Sequence, residues 1–267
     1  MLVMHYSRFV RAMRWVGIVS VGLVYLGSGC GRAVGDVLRT TVTPSAPARI
    51  HDLRVAHVRV GDRGYRVFRQ DWPDIRFTVT RPAREASRLV LVVPGTYTSP
   101  QNTVEGFVVL DGVVIRDHER QGWDGVAVFR DGHVEIRQTD NGKLLTRSAL
   151  RAIAATGASL IQGHLLVYRG IAQEFKQQPQ TLRRALVIDA TGPAIVESGD
   201  LVDLNAFARD LVSWGAVAAM NLDMGAWSEG WYRDPERGTI VTIGLPNPAT
   251  ERQSNWILFQ DARTRTK

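Results

Sequence analysis

A carboxylate and an amide stand at the end of a mostly apolar run in the C-terminal half of the chain. Ala216–Leu222 is long enough for one covered strand, and it delivers Asn221 and Asp223 to the carboxyl end of that strand, just before Gly225. A carboxylate at a strand end, followed by a flexible turn, is a common way to present a charged group at a cleft. The pattern therefore predicts that Asp223 takes part in catalysis or binding.

An aromatic and polar segment follows this strand. Trp227 and Trp231 lie within Trp227–Arg233, and aromatic faces suit sugar rings through apolar contact. The segment is therefore a candidate carbohydrate platform. The alternative is that both tryptophans pack in the core.

A helix is predicted immediately before the strand, and it would fix where the strand begins. Apolar side chains recur near helical spacing at Leu204, Phe207, Leu211 and Trp214,. Asp203 is placed to cap the start of the helix, and Gly215 to end it in the left-handed conformation. Leu201–Gly225 thus predicts a helix that feeds a buried strand.

The rest of the chain reads as strands joined by tight turns. His51–Thr80 alternates between apolar and polar residues, and Asp131-Gly132 joins two strands in a hairpin,. Helices are predicted only near 148–155 and 203–214, which argues against a repeated strand–helix–strand pattern. We expect one α+β domain over residues 51–262, with mixed, largely antiparallel sheets and a few packed helices.

The N-terminus carries an export signal. Three arginines precede the apolar stretch Trp15–Leu26, and small residues follow it, which predicts a secretory signal peptide over 1–29. Its apolar core is shorter than the roughly 20 residues that span a bilayer. We expect an exported protein of a bacterial cell envelope.

Cys30 is the only cysteine, so no disulfide forms within the chain,. Its position after Leu26-Gly27-Ser28-Gly29 resembles a bacterial lipoprotein signal, and a lipid on Cys30 would anchor the protein to the membrane. Residues 30–50 would then be the tether. The alternative is plain secretion with an incidental cysteine.

Composition narrows the class of partner. Lysine and arginine number 33 against 26 acids, which gives a formal net charge of +7, but no basic run is interleaved with aromatics. Nucleic acid is therefore not expected as a partner. No histidine and cysteine spacing predicts a zinc site, so we expect no cofactor. A divalent cation at Asp223 stays open, and so does the oligomeric state.

Asn221-Leu222-Asp223, after a helix and an alanine-rich strand, resembles the NLDGGGSS signature of the phosphodiester glycosidase family. Arg183 matches the arginine of a second family segment, Arg-Thr-Ala-apolar-Gly-apolar-Asp, and Glu105-Gly106 precedes a strand that is similar in both. The resemblance covers about residues 51–260. It implies hydrolysis of a sugar 1-phosphodiester at the anomeric carbon.

The resemblance also implies roles. Asp223 is the expected catalytic carboxylate, Arg183 the phosphate clamp and Asn221 an orienting group, with Glu105 or Glu229 as a second carboxylate. The expected substrate contacts are Gly95, Tyr97, Gly225, Trp227, Ser228 and Glu229. The alternative readings are that Arg183 and Glu105 are exposed surface groups.

Two other functions remain open. Val93, Met224, Ala226 and Trp227 stand where the family has asparagine, two glycines and a serine. These changes favour a degenerate member that binds a glycan or envelope polymer without cleaving it. A structural envelope lipoprotein without a ligand is the third hypothesis, and it would leave Arg183 and Asp223 far apart or buried in unrelated contacts.

Overall fold

The computed structural model describes residues 53–71, 73–176, 179–224, 228–245 and 248–261. These residues belong to one compact unit, Pro47–Lys267. The predicted signal peptide, the predicted tether with Cys30, and the candidate site residues Gly225 and Trp227 lie outside the described residues.

Three antiparallel sheets form the frame, with strands numbered in chain order. The seven-stranded sheet has the spatial order β1 (Leu53–Val60), β2 (Arg63–Gln70), β13 (Gly192–Ser198), β12 (Arg184–Asp189), β14 (Ala218–Asn221), β10 (Leu165–Tyr168) and β11 (Ile171–Ala172). Every described strand pair in it is antiparallel.

Two five-stranded sheets complete the frame, and their described pairs are also antiparallel. One has the order β16 (Ile240–Ile243), β15 (Gly230–Arg233), β4 (Leu89–Pro94), β17 (Trp256–Asp261) and β3 (Pro73–Thr78). The other has the order β6 (Val113–Arg116), β5 (Val108–Leu110), β9 (Ser159–Gly163), β7 (Gly125–Arg130) and β8 (His133–Gln138).

Two α-helices are present in the described part of the chain. Helix α1 is Arg147–Ala154, and helix α2 is Leu204–Trp214; a short 3-10 helix covers Pro248–Arg252. Neither α-helix is long and apolar enough to cross a bilayer. The largely antiparallel sheets are as predicted, but the fold is predominantly β, so α+β describes it only roughly.

The predicted boundaries of α2 are confirmed at both ends. Asp203 caps the start by accepting a hydrogen bond from the Ala206 amide at 2.8 Å, and Gly215 ends the helix at a φ of 110°. The following strand is shorter than predicted: it is Ala218–Asn221, not Ala216–Leu222. The reason is that the Ala216 amide still bonds the Leu211 carbonyl and so belongs to the helix end.

All three sheets contribute to one central core. Buried apolar side chains from each sheet meet there, among them Phe68, Leu91, Ile161, Met220 and Phe259. The outer face of the seven-stranded sheet is covered by α2, whose Phe207 stacks on Tyr65 with ring centroids 6.0 Å apart. Each layer therefore buries its apolar face against another, as a stable fold requires.

We expect Phe207→Ala to lower the free energy of unfolding by about 3–5 kcal/mol, because it opens a cavity beneath α2. Phe207 is completely buried, whereas Leu201 just before the helix is 62 % exposed. The matched control Leu201→Ala should stay within about 0.5 kcal/mol of the wild type. Urea unfolding of the three proteins measures both values, and equal losses would contradict the packing described.

Candidate active site

One end of the seven-stranded sheet gathers the polar residues. Strand β14 ends at Asn221, and its antiparallel neighbours β12 and β10 begin beside it, which places Arg184 and His164 at the same edge. The Asn221 amide bonds the His164 carbonyl, and the Leu222 amide bonds the Arg184 carbonyl, both at 2.9 Å. Antiparallel pairing thus brings together residues that are up to 57 positions apart.

The end of β4, from a second sheet, reaches the same edge. The Asp223 amide donates a hydrogen bond to the Gly95 carbonyl at 2.8 Å. A Cβ on residue 95 would overlap the side-chain oxygen of Asn255, so only glycine fits at this junction. Gly95, predicted as a substrate contact, therefore lies at the site with a packing role that glycine alone can fill.

The Asp223 carboxylate is the buried acid of the site, at 2 % exposure. Its Oδ2 accepts a hydrogen bond from the Thr98 amide at 3.0 Å, and the Met224 amide also bonds it. Burial raises the pKa of Asp223 to about 7, against the opposing effects of these two amides and of the Arg184 charge,. The group therefore changes its charge near neutral pH.

Tyr97 and Asn221 form a hydrogen-bonded pair. Asn221 Nδ2 donates to the Tyr97 hydroxyl oxygen at 2.7 Å and to the Leu222 carbonyl at 2.9 Å. The carbonyl can only accept, so it fixes the orientation of the amide. Because Tyr97 accepts from Asn221, its own hydroxyl proton is left to donate elsewhere.

The Tyr97 hydroxyl stays protonated at physiological pH. Burial raises the pKa of Tyr97 to about 12, and the Asp223 charge acts in the same direction. The Arg183 charge and the bond from Asn221 lower it in part. Tyr97 thus experiences the charges of both Asp223 and Arg183.

The Tyr97 ring also belongs to an aromatic cluster of four rings, defined as Tyr97, Trp123, His164 and Phe175. His164 is central: its ring centroid lies 5.9 Å from Tyr97, 5.4 Å from Trp123 and 5.8 Å from Phe175. Burial lowers the pKa of His164, and the Arg183 charge lowers it further, while a backbone bond with Gly122 opposes them. His164 is therefore neutral at pH 7.

Two amide side chains, the buried Gln162 and the half-buried Asn205, hold the aromatic cluster in place. Gln162 of β9 donates to the Trp123 carbonyl at 2.7 Å, and Asn205 of α2 exchanges two hydrogen bonds with the backbone of Phe175. The cluster is thus anchored to a strand and to a helix, so its geometry is set by the scaffold.

Arg183 is buried, with 8 % exposure, and is not the surface arginine of the alternative reading. Its guanidinium donates to the Val202 carbonyl at 3.2 Å and to the Pro179 carbonyl at 2.8 Å. Burial lowers the pKa of Arg183, whereas Tyr97 and Asp203 raise it. No carboxylate in the described part of the chain forms an ion pair with it, so its charge is available to an anionic ligand.

Arg184 and Glu197 form a buried ion pair that the sequence analysis did not single out. Arg184 is completely buried and pairs with Glu197, whose second oxygen accepts from Arg66 at 2.5 Å. Arg184 also donates to the Ser228 carbonyl at 2.9 Å and lowers the pKa of Asp223. The two neighbouring arginines thus have different effects. Arg184 holds the backbone at Ser228, beyond Asp223, whereas the positive charge of Arg183 acts on Tyr97 and His164.

The two candidates for a second carboxylate are already paired. Glu105 lies next to Tyr97, since its amide bonds the Tyr97 carbonyl, but its side chain pairs with Arg120 at 3.0 Å. Glu229 pairs with Arg84 at the edge of the β15–β16 region. Neither is placed by a described contact against Asp223, so the site is built around one carboxylate.

Ser228, predicted as a substrate contact, is completely buried. Its hydroxyl accepts a hydrogen bond from the Leu245 amide at 3.0 Å, and its carbonyl is held by Arg184. These contacts indicate a structural task for Ser228. Trp231, the other ring of the candidate platform, is 3 % exposed and packs in a core cluster. For Trp231 the alternative, packing in the core, is therefore correct.

Most members of the aromatic cluster have no signal in the sequence. Trp123 and Phe175 lie in loops without any motif, and His164 lies in the short turn between β9 and β10. Only their meeting near the end of β14 gives them a role. No three acidic or histidine side chains among the described residues form a metal-binding group. The sequence left a divalent cation at Asp223 open, and the described residues supply no ligand set for it.

One of the comparisons with known proteins identifies a family. A family model described as phosphodiester glycosidase matches residues 87–257. Among solved structures, the chain is similar to the zebrafish N-acetylglucosamine-1-phosphodiester alpha-N-acetylglucosaminidase catalytic domain, auto-inhibited by its pro-peptide. The identity is 13 %, the TM-score is 0.52, and the match covers 82 % of this chain and 86 % of that one.

A second similar structure is a hypothetical protein from Synechocystis. It has 14 % identity and a TM-score of 0.52, and the match covers 78 % of this chain and 62 % of that one. At these identities the likeness shows the fold alone. No curated sequence gives a significant match.

The raised pKa of Asp223 has a consequence for stability. The folded protein keeps the proton up to about pH 7, while the unfolded chain releases it near pH 4, so stability falls as the pH rises through this interval,. Asparagine does not titrate, so it avoids the free-energy cost of ionising a buried carboxylate. We expect Asp223→Asn to gain on the order of 3 to 4 kcal/mol relative to the wild type between pH 4 and pH 8.

Urea unfolding at pH 4.5 and at pH 8 measures this gain. Asp62→Asn is the matched control, because the Asp62 side chain is 89 % exposed in the β1–β2 turn, and it should show no such gain. If Asp223→Asn changes stability equally at both pH values, the carboxylate is not held in a low-dielectric site.

Proposed function

The chain belongs to the phosphodiester glycosidase family, and from this premise we propose that it hydrolyses a sugar 1-phosphodiester at the anomeric carbon. The observation that carries the proposal is a single buried carboxylate, Asp223, that titrates near neutral pH beside the Tyr97 and Asn221 pair. Arg183, buried without a carboxylate partner in the described part of the chain, supplies the positive charge that a phosphodiester needs.

Asp223 is the proposed base. Its ionised form takes a proton from water while the water oxygen bonds to the anomeric carbon. The bond from that carbon to the phosphate oxygen breaks, and its electron pair leaves with the phosphate as a phosphomonoester. This leaving group is already a stable anion, so the reaction needs little general-acid help, and one carboxylate suffices for it.

Arg183 and Tyr97 are the proposed phosphate contacts. The guanidinium stays charged and presents a planar set of donors to phosphate oxygens. The Tyr97 proton is free to donate, because Asn221 occupies the oxygen of the same hydroxyl. Together they would stabilise negative charge where it develops on the leaving phosphate.

We expect turnover of methyl diesters of hexose 1-phosphates, among them N-acetylglucosamine, glucose, galactose and mannose. Asp223→Asn should lower kcat at least about a hundredfold, as the loss of a general base does. Asp62→Asn is again the control and should keep wild-type turnover. Release of the phosphomonoester measures the reaction.

The acidity of Asp223 also predicts the pH profile. Because the base must be ionised, kcat/KM should rise about tenfold per pH unit below about pH 7 and level off above it,. A profile that falls through this range would assign Asp223 the opposite task, that of an acid. Tight binding of the diesters without turnover would instead support the degenerate binder, which the altered residues after Asp223 favour.

We further propose that the protein is exported and anchored by a lipid on Cys30. The support is sequence alone: the basic and apolar segment over 1–29, the small residues before Cys30, and the tether-like composition of 30–50,. An anchored enzyme would act on glycans of the cell envelope.

Expression of the full chain in a bacterial host with labelled palmitate tests the anchor. We expect label on the wild type and recovery in the membrane fraction, and neither for Cys30→Ser. Cleaved, unlabelled wild type in the soluble fraction would instead support plain secretion.

A further inference from the structure

The buried polar atoms around Tyr97 are incompletely satisfied. His164 Nδ1 and Asn221 Oδ1 are both buried, and neither atom has a hydrogen-bond partner among the described residues, so the backbone bond of the His164 ring with Gly122 does not involve Nδ1. A buried polar atom without a partner costs roughly 1–3 kcal/mol. Such atoms beside a reactive group indicate that a ligand group meets them.

Of these two residues, His164 says more about a ligand. Asn221 belongs to the strand end with Asp223, whereas His164 comes from the separate turn between β9 and β10. Its ring is enclosed by the three other rings of the aromatic cluster, and Arg183 is the charged group that acts on it. A neutral ring among aromatic faces suits a saccharide better than it suits an anion.

From this geometry we infer that His164 is a specificity-determining residue, whose Nδ1 hydrogen-bonds one hydroxyl group of the sugar ring attached to the phosphate. A hydroxyl both donates and accepts, so it pairs with Nδ1 in either tautomer of the neutral ring. The inference rests on the proposed function, because it needs a sugar 1-phosphodiester at Asp223.

Binding of deoxy sugars tests the assignment without turnover. In the Asp223→Asn background, the probes are the methyl 1-phosphodiester of the best-bound hexose and its single-deoxy analogues. With His164 present, we expect one analogue to bind about tenfold more weakly than its parent, as the loss of one buried hydrogen bond does. In His164→Phe, which keeps an aromatic ring, that difference should disappear.

Two further variants separate the hydrogen bond from packing. His164→Asn places an amide atom near the position of Nδ1 and should restore part of the discrimination. Phe175→Leu alters the same aromatic cluster without removing a polar atom, so it should weaken all analogues equally. Thermal unfolding of each variant confirms that it is folded.

Three outcomes would overturn the inference. These are equal weakening of all analogues by His164→Phe, discrimination that survives in that variant, and failure of the Asp223→Asn protein to bind any probe. Turnover is measured separately on protein with Asp223 intact. If His164 discriminates between the analogues but the wild type shows no turnover, the proposed hydrolysis is refuted and the role of His164 stands. If the wild type shows turnover but His164 does not discriminate, the hydrolysis stands and the role of His164 is refuted.

Discussion

The burial of one carboxylate is the constraint on which this site depends. Taking Asp223 out of water penalises its ionised form, and two backbone amides recover only part of that cost,. The surrounding fold must therefore be stable enough to hold an unfavourable group in place. In return the protein has a carboxylate that gains and loses its proton near neutral pH, which is the property that the proposed base requires,.

The sheets supply the rigidity that this arrangement needs. The Asp223 backbone bonds Gly95, which directly follows β4 of a second sheet, and the Asn221 backbone bonds His164, which directly precedes β10 of its own sheet. The completely buried Arg184 fixes the backbone at Ser228, beyond the carboxylate, and satisfies Glu197 at the same time. Because a buried charge without its partner is costly, this ion pair couples the geometry of the site to the integrity of the seven-stranded sheet.

The sequence predicted those features that depend on local order along the chain. The caps of α2, the strand that follows it and the hairpins all have local signals, and the segment Asn221-Leu222-Asp223 indicated the family. Contacts between distant segments had no such signal. Nothing local distinguishes Arg183, whose charge acts on Tyr97, from Arg184, which pairs with Glu197. The aromatic cluster likewise exists only because loops from four parts of the chain meet at one edge of a sheet.

The carbon-13 resonance of the Asp223 carboxyl, followed through a pH titration, tests the central claim most directly. The account predicts a midpoint close to pH 7 in the folded protein, about three units above an ordinary aspartate,. A midpoint near pH 4 would show a solvated carboxylate and would contradict both the burial described and the proposed base.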